Sequence, residues 1–233
     1  MKEFSNRYIF IFTVVMVAIV AALLSTAAMV LQPKQERNRE IEKKKNILAS
    51  VRIEATSINA AELYDKVIKQ GFVINTKGDI VENVDPFKID LRSEQRKPVD
   101  VQNLPLFIAN PRDSLQVIII PLEGKGLWGP IYGYMSLESD MSTVYGVTFD
   151  HKGETPGLGA EINTSWFEDM FSGRKIFEGD SFVSIKVRKG GAPEGDLHGV
   201  DAISGGTITS VGLQDMLYDC LVKYEKYLIK NRL

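Results

Sequence analysis

The sequence is poor in the residues that hold metals and disulfides, with one cysteine, Cys220, and two histidines among 233 residues. A single cysteine excludes an intramolecular disulfide. Iron–sulfur clusters are usually held by four cysteine thiolates, so this chain cannot build such a cluster alone. His151 and His198 lack the CxxCH motif of covalent haem attachment. Any redox centre on this chain is therefore expected to be organic.

Charged residues are absent from the segment Tyr8–Leu31, YIFIFTVVMVAIVAALLSTAAMVL. As a helix, this segment is long enough to cross a hydrocarbon core of about 30 Å. A cleavable signal peptide is the alternative, because Lys2 and Arg7 precede the segment and residues 25–27 resemble a cleavage site. The apolar regions of signal peptides run to only about 7–15 residues. The length therefore favours a transmembrane anchor over residues 1–32.

Positive charge is concentrated near the N-terminus, with nine Lys/Arg against four Asp/Glu over residues 1–52 and 19 against 26 over the remainder. The acidic balance of the larger part argues against a nucleic-acid partner. Residues 33–57 are interpreted as a charged juxtamembrane linker, and a solvated spacer is favoured over a helix. Residues 58–233 then form one domain that is long enough to bury a hydrophobic core.

The pattern of the domain predicts an α+β fold with a largely antiparallel sheet. Runs rich in β-branched and aromatic residues are separated by short turn-rich segments, which favours meander connections over helical crossovers. The four main runs are Leu104–Ala109, Leu115–Leu122, Ile131–Leu137 and Thr143–Asp150. The sequence does not place residues 83–103.

Shorter elements flank these strands. Asn59 and Glu62 resemble a capping box for a helix that Gly71 ends, and a hairpin follows over residues 72–81. Further along, the sequence predicts a short helix opening at residues 165–168, a strand at 182–187 and a final helix from about residue 210. Cys220 falls on the apolar side of that last helix, which predicts a buried structural residue.

Two local patterns resemble binding motifs but lack the surroundings that those motifs need. The run Gly124–Gly129 is a literal GxGxxG, yet a dinucleotide fingerprint opens a helix, whereas Pro130 and a strand-like run follow here. His151 and Glu154 are three residues apart, but the glycines and proline beside them disfavour the helix that would let them share a metal. The sequence therefore predicts no nucleotide site at Gly124–Gly129 and no metal site at His151 and Glu154.

The glycine-rich run Asp201–Ser210, DAISGGTITS, leads into the final helix. The paired glycines let another molecule approach the backbone closely and leave the Thr207 hydroxyl accessible. Local chemistry alone favours an ordinary turn, with Thr209 or Ser210 as the N-cap of the helix. The same position suits an anion, because a helix N-terminus offers unpaired N–H groups and a positive dipole end.

This run resembles the D-x-x-S/T-G-A-T/S signature that bacterial flavin transferases recognise in their substrate proteins, where they join FMN through its phosphate to the last Thr or Ser. The matching positions are Asp201, Ser204, Gly205, Gly206 and Thr207. Gly206 stands where the signature usually has alanine, and this loss of one methyl group leaves the acceptor hydroxyl in place. The resemblance implies that Thr207, not Thr209, is the acceptor.

A further segment, HKGETPGLG at residues 151–159, resembles the FMN-binding domains of respiratory complexes. With the anchor in front, the two motifs resemble the C subunits of sodium-translocating NADH:quinone oxidoreductases (Nqr), with the G subunit of Rnf ferredoxin:NAD oxidoreductases as the alternative. The resemblance implies an electron-transfer protein with covalent FMN in a membrane complex, matured by a flavin transferase. NADH oxidation and quinone reduction would occur on other chains, so no catalytic residue is expected on this one.

The resemblance also implies which side chains contact FMN, with Lys189 offering positive charge to reduced flavin or phosphate. These residues are Trp128, Glu154, Thr155, Gly157, Leu158, Gly159 and Lys189. A membrane-tethered binding or sensory domain without a redox role is the alternative from another functional class.

Membrane orientation is predicted differently by charge and by resemblance. The family places the domain on the periplasmic side of the bacterial inner membrane. Six Lys/Arg lie within residues 34–45 and two precede the anchor, so the positive-inside rule indicates the cytoplasm. Long domains can translocate regardless of charge, and the periplasmic side is therefore preferred.

Overall fold

The computed structural model describes residues 5–113 and 115–232, and the chain divides into two compact units, Met1–Lys43 and Lys44–Leu233. The helices are α1 (Asn6–Ser50), α2 (Ala60–Val67), α3 (Leu91–Glu94), α4 (Ser165–Asp169), α5 (Thr207–Leu221) and α6 (Glu225–Asn231). The strands are β1 (Ile68–Ile74), β2 (Ile80–Val81), β3 (Leu104–Arg112), β4 (Leu115–Lys125), β5 (Pro130–Leu137), β6 (Val144–His151), β7 (Phe177–Glu178), β8 (Ser181–Phe182), β9 (Lys186–Arg188) and β10 (Gly199–Asp201).

The first unit consists of the N-terminal part of α1. Its residues between Tyr8 and Leu31 are exposed, and the helix is long and apolar enough to cross a membrane. The predicted N-terminal apolar helix is confirmed, and it fits a single-pass membrane protein.

The charged tract after this segment differs from the predicted spacer, because α1 continues through it to Ser50. In the second unit, the last turn of α1 places Ile47 and Leu48 in the core, and Val51 follows them there. These side chains pack with Phe107 and Ile119 of the sheet. Their spacing puts them on one side of the helix, so burial of that side stabilises the helix that charge alone did not predict.

The centre of the second unit is a six-stranded sheet in the order β2-β1-β3-β4-β5-β6, in which every neighbouring pair is antiparallel. Strands β3 to β6 follow one another as a meander, as the short turn-rich connections predict. The α+β fold class is confirmed. The hairpin β1–β2 is confirmed as well, since the Asn75 side chain accepts hydrogen bonds from the backbone N–H groups of Lys77 and Asp79 within its turn.

Both faces of this sheet are covered. Alternate residues of β4 point to opposite sides, so Ile118 and Ile120 pack with the side chains of α5, whereas Val117 and Ile119 pack with the end of α1. This double burial explains the unbroken apolar run of β4. In addition, the Ser136 hydroxyl donates to the carbonyl oxygen of Ser50 at 2.6 Å, beneath the sheet.

Three local predictions were wrong or incomplete. Gly71 lies within β1, not at a helix end, and a Cβ there would come within 2.8 Å of the Pro86 ring. The predicted strand at 182–187 is split into β8 and β9, since Ser184 takes a positive φ of 59° that interrupts extended backbone. Residues 83–103, which the sequence did not place, contain α3 and two short 3₁₀ helices, Pro86–Lys88 and Val99–Val101.

Candidate functional site

The helix α5 begins at Thr207, three residues before the predicted start, with Gly206 at its N-cap. Ser210 is therefore inside the helix, and its backbone N–H donates to the carbonyl oxygen of Gly206 at 2.9 Å. Its hydroxyl accepts a hydrogen bond from the backbone N–H of Ile203, which ties the preceding loop to the first turn. The prediction that Thr209 or Ser210 caps the helix was wrong, because both side chains are buried and used elsewhere.

The hydroxyl groups near this helix start differ sharply in exposure. Thr207 and Ser204 are exposed, whereas Thr209 is 2% exposed. Among the residues that the structure describes, no side chain caps the first turn of α5. Its leading N–H groups therefore lack intrahelical partners and carry the positive end of the helix dipole, which favours an anion beside Thr207.

The loop after β6 packs directly on the glycine-rich run. A Cβ on Gly205, which has a φ of +74°, would lie 2.5 Å from the Leu158 side chain. The backbone of Leu158 also lies close to Gly206, where a Cβ would come within 3.3 Å of it. The paired glycines thus allow the 151–159 loop to lie against the start of α5.

The other predicted residues of this loop fall into two groups. Thr155, Gly157 and Leu158 are exposed, whereas Glu154 and Gly159 are buried. Gly157 has a φ of +73°, and its N–H donates to the Glu161 carboxylate at 3.0 Å. The structure therefore leaves the first group accessible to a ligand and places the second inside the protein.

Glu154 contacts two other parts of the site. One carboxylate oxygen accepts a hydrogen bond from the backbone N–H of Trp128 at 2.9 Å. The other accepts from the Thr209 hydroxyl at 2.5 Å. His151 takes part through its ring, since its Nδ1 accepts from the backbone N–H of Glu154 at 3.2 Å. Sequence reasoning missed the roles of Thr209 and His151.

Trp128 lies at the tip of the β4–β5 hairpin, and its side chain is 70% exposed. The N–H of Gly126 donates to the carbonyl oxygen of Gly129 and closes the hairpin. The GxGxxG run is thus a strand–turn–strand connection and does not open a helix. Beside it lies a groove of about 1070 Å³ between the hairpin, α3 and α5, with Lys125, Asp215 and Met216 among its lining residues.

Lys189 follows β9, next to the glycine-rich run. Strands β9 and β10 are parallel, with Arg188 opposite Asp201, and the Asp201 carboxylate accepts from the backbone N–H of Ala192 at 2.7 Å. The Lys189 side chain is exposed, and within residues 5–113 and 115–232 it forms no ion pair. Lys189 therefore follows a strand that pairs with Asp201 of the flavin-transferase motif, and no ion pair in the described part of the chain fixes its side chain near the other predicted site residues.

Apolar side chains also flank the acceptor position. Ile208 is 60% exposed and Val211 is 50% exposed, and both lie within the first two turns of α5. Exposed apolar residues beside a polar loop are typical of a ligand or partner surface. Sequence reasoning did not single them out, because the same residues also fit an ordinary amphipathic helix.

A metal site and a reactive cysteine thiol are two other kinds of functional site to consider. Among the described residues, no group of three or more His, Cys, Asp or Glu side chains could hold a metal. Cys220 is buried, and burial raises the pKa of its thiol to about 11. A thiol with such a pKa is a poor nucleophile at neutral pH.

Comparisons with known proteins match this geometry. A family model described as an FMN-binding domain matches residues 126–222, from the Trp128 hairpin to the end of α5. The C subunit of the Na⁺-translocating NADH-quinone reductase of Vibrio anguillarum is 34% identical over 224 residues, which cover 88% of this chain and 86% of the relative. The C subunit from Vibrio alginolyticus is 33% identical, and the match covers 82% of this chain and 81% of the relative. The chain belongs to the NqrC family, the C subunits of Na⁺-translocating NADH-quinone reductases.

Solved structures of NqrC proteins have the same fold. The protein from Parabacteroides distasonis is 41% identical, with a TM-score of 0.78 and coverage of 85% of this chain and 96% of that one. NqrC from Shewanella oneidensis is 26% identical, with a TM-score of 0.71 and coverage of 83% and 97%. The predicted Nqr resemblance is confirmed. The chain contains an FMN-binding domain and belongs to a family of oxidoreductase subunits.

Proposed function

We propose that this NqrC-family protein carries FMN as a phosphoester on Thr207 and relays electrons from NADH towards quinone in a Na⁺-translocating reductase. Its family and its FMN-binding domain support the cofactor and the complex. The observation that carries the attachment is the exposed hydroxyl of Thr207 at the first residue of a 15-residue helix. A phosphate bonded there would meet the free N–H groups of the first turn.

The residues around Thr207 fit a flavin nucleotide. Gly206 adds no side chain next to the acceptor, and the exposed Ile208, Val211 and Leu158 offer apolar surface to an aromatic ring. We infer that Thr155 and Gly157 contact the ring from the 151–159 loop, with Trp128 and Lys189 at its edges. Glu154 and Gly159 are buried, so their part is to shape the site.

FMN, when bound, accepts and donates electrons singly or in pairs. The protein would retain and orient it, since a covalent bond removes dissociation and the helix start fixes the phosphate end. In the attachment, the Thr207 oxygen would bond to the flavin-side phosphorus of a flavin dinucleotide while the pyrophosphate P–O bond breaks. The hydroxyl proton is lost and a nucleoside monophosphate leaves, and a flavin transferase would catalyse this transfer. NADH oxidation and quinone reduction are assigned to partner proteins of the complex, so no acid or base is assigned here.

Two surfaces of the protein are proposed to contact partners. Asp201, Ser204 and Thr207 are exposed, so a flavin transferase could reach the motif before the protein joins its complex. The apolar part of α1, proposed as the anchor over residues 1–32, would contact inner-membrane lipid. The folded domain is proposed to lie on the periplasmic side. A cysteine placed at exposed Ile58 should react with a membrane-impermeant thiol reagent in intact spheroplasts, and reaction only after lysis would reverse the orientation.

The attachment is tested by intact-mass measurement and in-gel flavin fluorescence of the full chain, produced with its transferase. The wild-type band should fluoresce and carry one added flavin mononucleotide. Thr207→Ala should lose both signals, whereas Thr207→Ser should keep them because a hydroxyl remains. Label on Thr207→Ala would show that another residue is the acceptor. A wild-type chain without label would favour the alternative of a tethered binding domain without a redox role.

A further inference from the structure

The Glu154 carboxylate is nearly withdrawn from solvent, with 5% of the residue exposed. Both its oxygens accept hydrogen bonds from within the protein, from the Trp128 backbone and the Thr209 hydroxyl. A buried carboxylate is stable only where donors replace the lost water. These two contacts satisfy that need within the protein.

Packing around this carboxylate is tight. A Cβ on Gly126 would lie 2.5 Å from one carboxylate oxygen, so the hairpin backbone rests directly on Glu154. A Cβ on Gly159 would lie 2.6 Å from the other oxygen and would overlap the Thr209 hydroxyl. Three segments, the hairpin, the 151–159 loop and the first turn of α5, therefore meet at one carboxylate.

Thr209 connects this meeting point to the acceptor position. It lies two residues after Thr207 in the same helical turn, on the buried side. Because its hydroxyl donates to Glu154, rotation or fraying of the first turn would break a charge-assisted hydrogen bond. The same bond occupies the threonine hydroxyl that is nearest in sequence to the acceptor.

We propose that Glu154, Thr209 and the backbone N–H of Trp128 form a lock that positions the first turn of α5 against the Trp128 hairpin. The lock directs Thr207 outwards to take the flavin and holds Thr209 inwards, so that the two threonines of the turn are not interchangeable as acceptors. Glu154 and Thr209 are positioning residues, because they act on the flavin through the backbone that they hold. The flavin readout rests on the proposed attachment to Thr207, whereas the backbone readout does not.

The backbone readout uses the full chain in detergent, produced without the transferase, and hydrogen–deuterium exchange. Thr209→Val keeps the shape and removes the donor, and loss of this bond should speed exchange about tenfold in both α5 and the hairpin. Thr209→Ser restores the hydroxyl and should exchange at the wild-type rate. Amides of β3 should be unchanged in both variants. Wild-type exchange in the Thr209→Val hairpin, or equal exchange in the Val and Ser variants, would overturn the lock.

The flavin readout uses the same variants produced with the transferase. Thr209→Val should still carry its label on Thr207 by peptide mapping, but its flavin absorption spectrum and midpoint potential should differ from those of the wild type and of Thr209→Ser. Identical spectra and potentials in all three would remove the positioning role. If the wild type itself takes no label, the proposed function fails, and the exchange experiment still decides whether the lock exists.

Discussion

Ile47→Ala tests whether the end of α1 belongs to the folded domain or to a spacer. Ile47 is 0% exposed and packs with Phe107 and Ile119 under the sheet. Truncating a buried isoleucine to alanine typically costs about 2–5 kcal/mol, through lost burial and the cavity left behind. Ile58→Ala is the matched control, because Ile58 is 96% exposed and follows α1 closely. We expect that control to change stability by less than about 0.5 kcal/mol.

The assay is urea unfolding of the full chain in detergent, followed by the fluorescence of Trp128 and Trp166. Both tryptophans lie in the second unit, so the signal reports on that unit. Equal unfolding free energies for Ile47→Ala and Ile58→Ala would refute the reasoning and return the end of α1 to a spacer. Replacing Ile47, Leu48 and Val51 together by alanine extends the test, since burial of these three side chains contributes about 5–9 kcal/mol to the free energy of unfolding. That is comparable to the stability of a whole domain, about 5–15 kcal/mol.

Two further predictions concern the site and the pH response. Gly206→Ala should keep flavin labelling, because Gly206 has a φ of −99° and the nearest atom to an added Cβ is in the Ile203 side chain at 3.0 Å. Gly205→Ala should reduce both labelling and stability, because Gly205 has a φ of +74° and an added Cβ would lie 2.5 Å from Leu158. Equal labelling of the two variants would contradict this reasoning. Burial raises the pKa of Glu168 from 4.5 to about 7. The native state then holds this proton more tightly than the unfolded state, so stability falls as the pH rises from about 4.5 to about 7. Above about pH 7, this group no longer makes stability change with pH. Glu168→Gln should flatten that fall in urea midpoints, and an unchanged fall would place its origin elsewhere.

Much of the sheet was predictable because its signals are local. Four runs of β-branched residues with short turns specify a meander, and the structure has β3 to β6 in that arrangement. Gly71 shows where local signals end. A glycine after an apolar helix and a glycine inside a strand have the same local sequence, and the choice depends on Phe107 and Pro86, which close over it from other elements. The burial of Ile47 was hidden for the same reason, since its partners lie in strands far along the chain.

Motif residues at the site were found by resemblance, but their roles depend on contacts that resemblance does not give. Glu154 reaches Trp128 over 26 residues and Thr209 over 55, and no periodic pattern links positions at those separations. The resemblance therefore predicted that this loop carboxylate contacts FMN, and the structure adds that both its oxygens accept hydrogen bonds from protein groups. The motif residues then divide by burial, because Thr207 and Leu158 are exposed and Glu154 is buried. Under the proposed attachment and lock, we expect substitutions of the buried Glu154 to change where the flavin sits before they change whether it is attached.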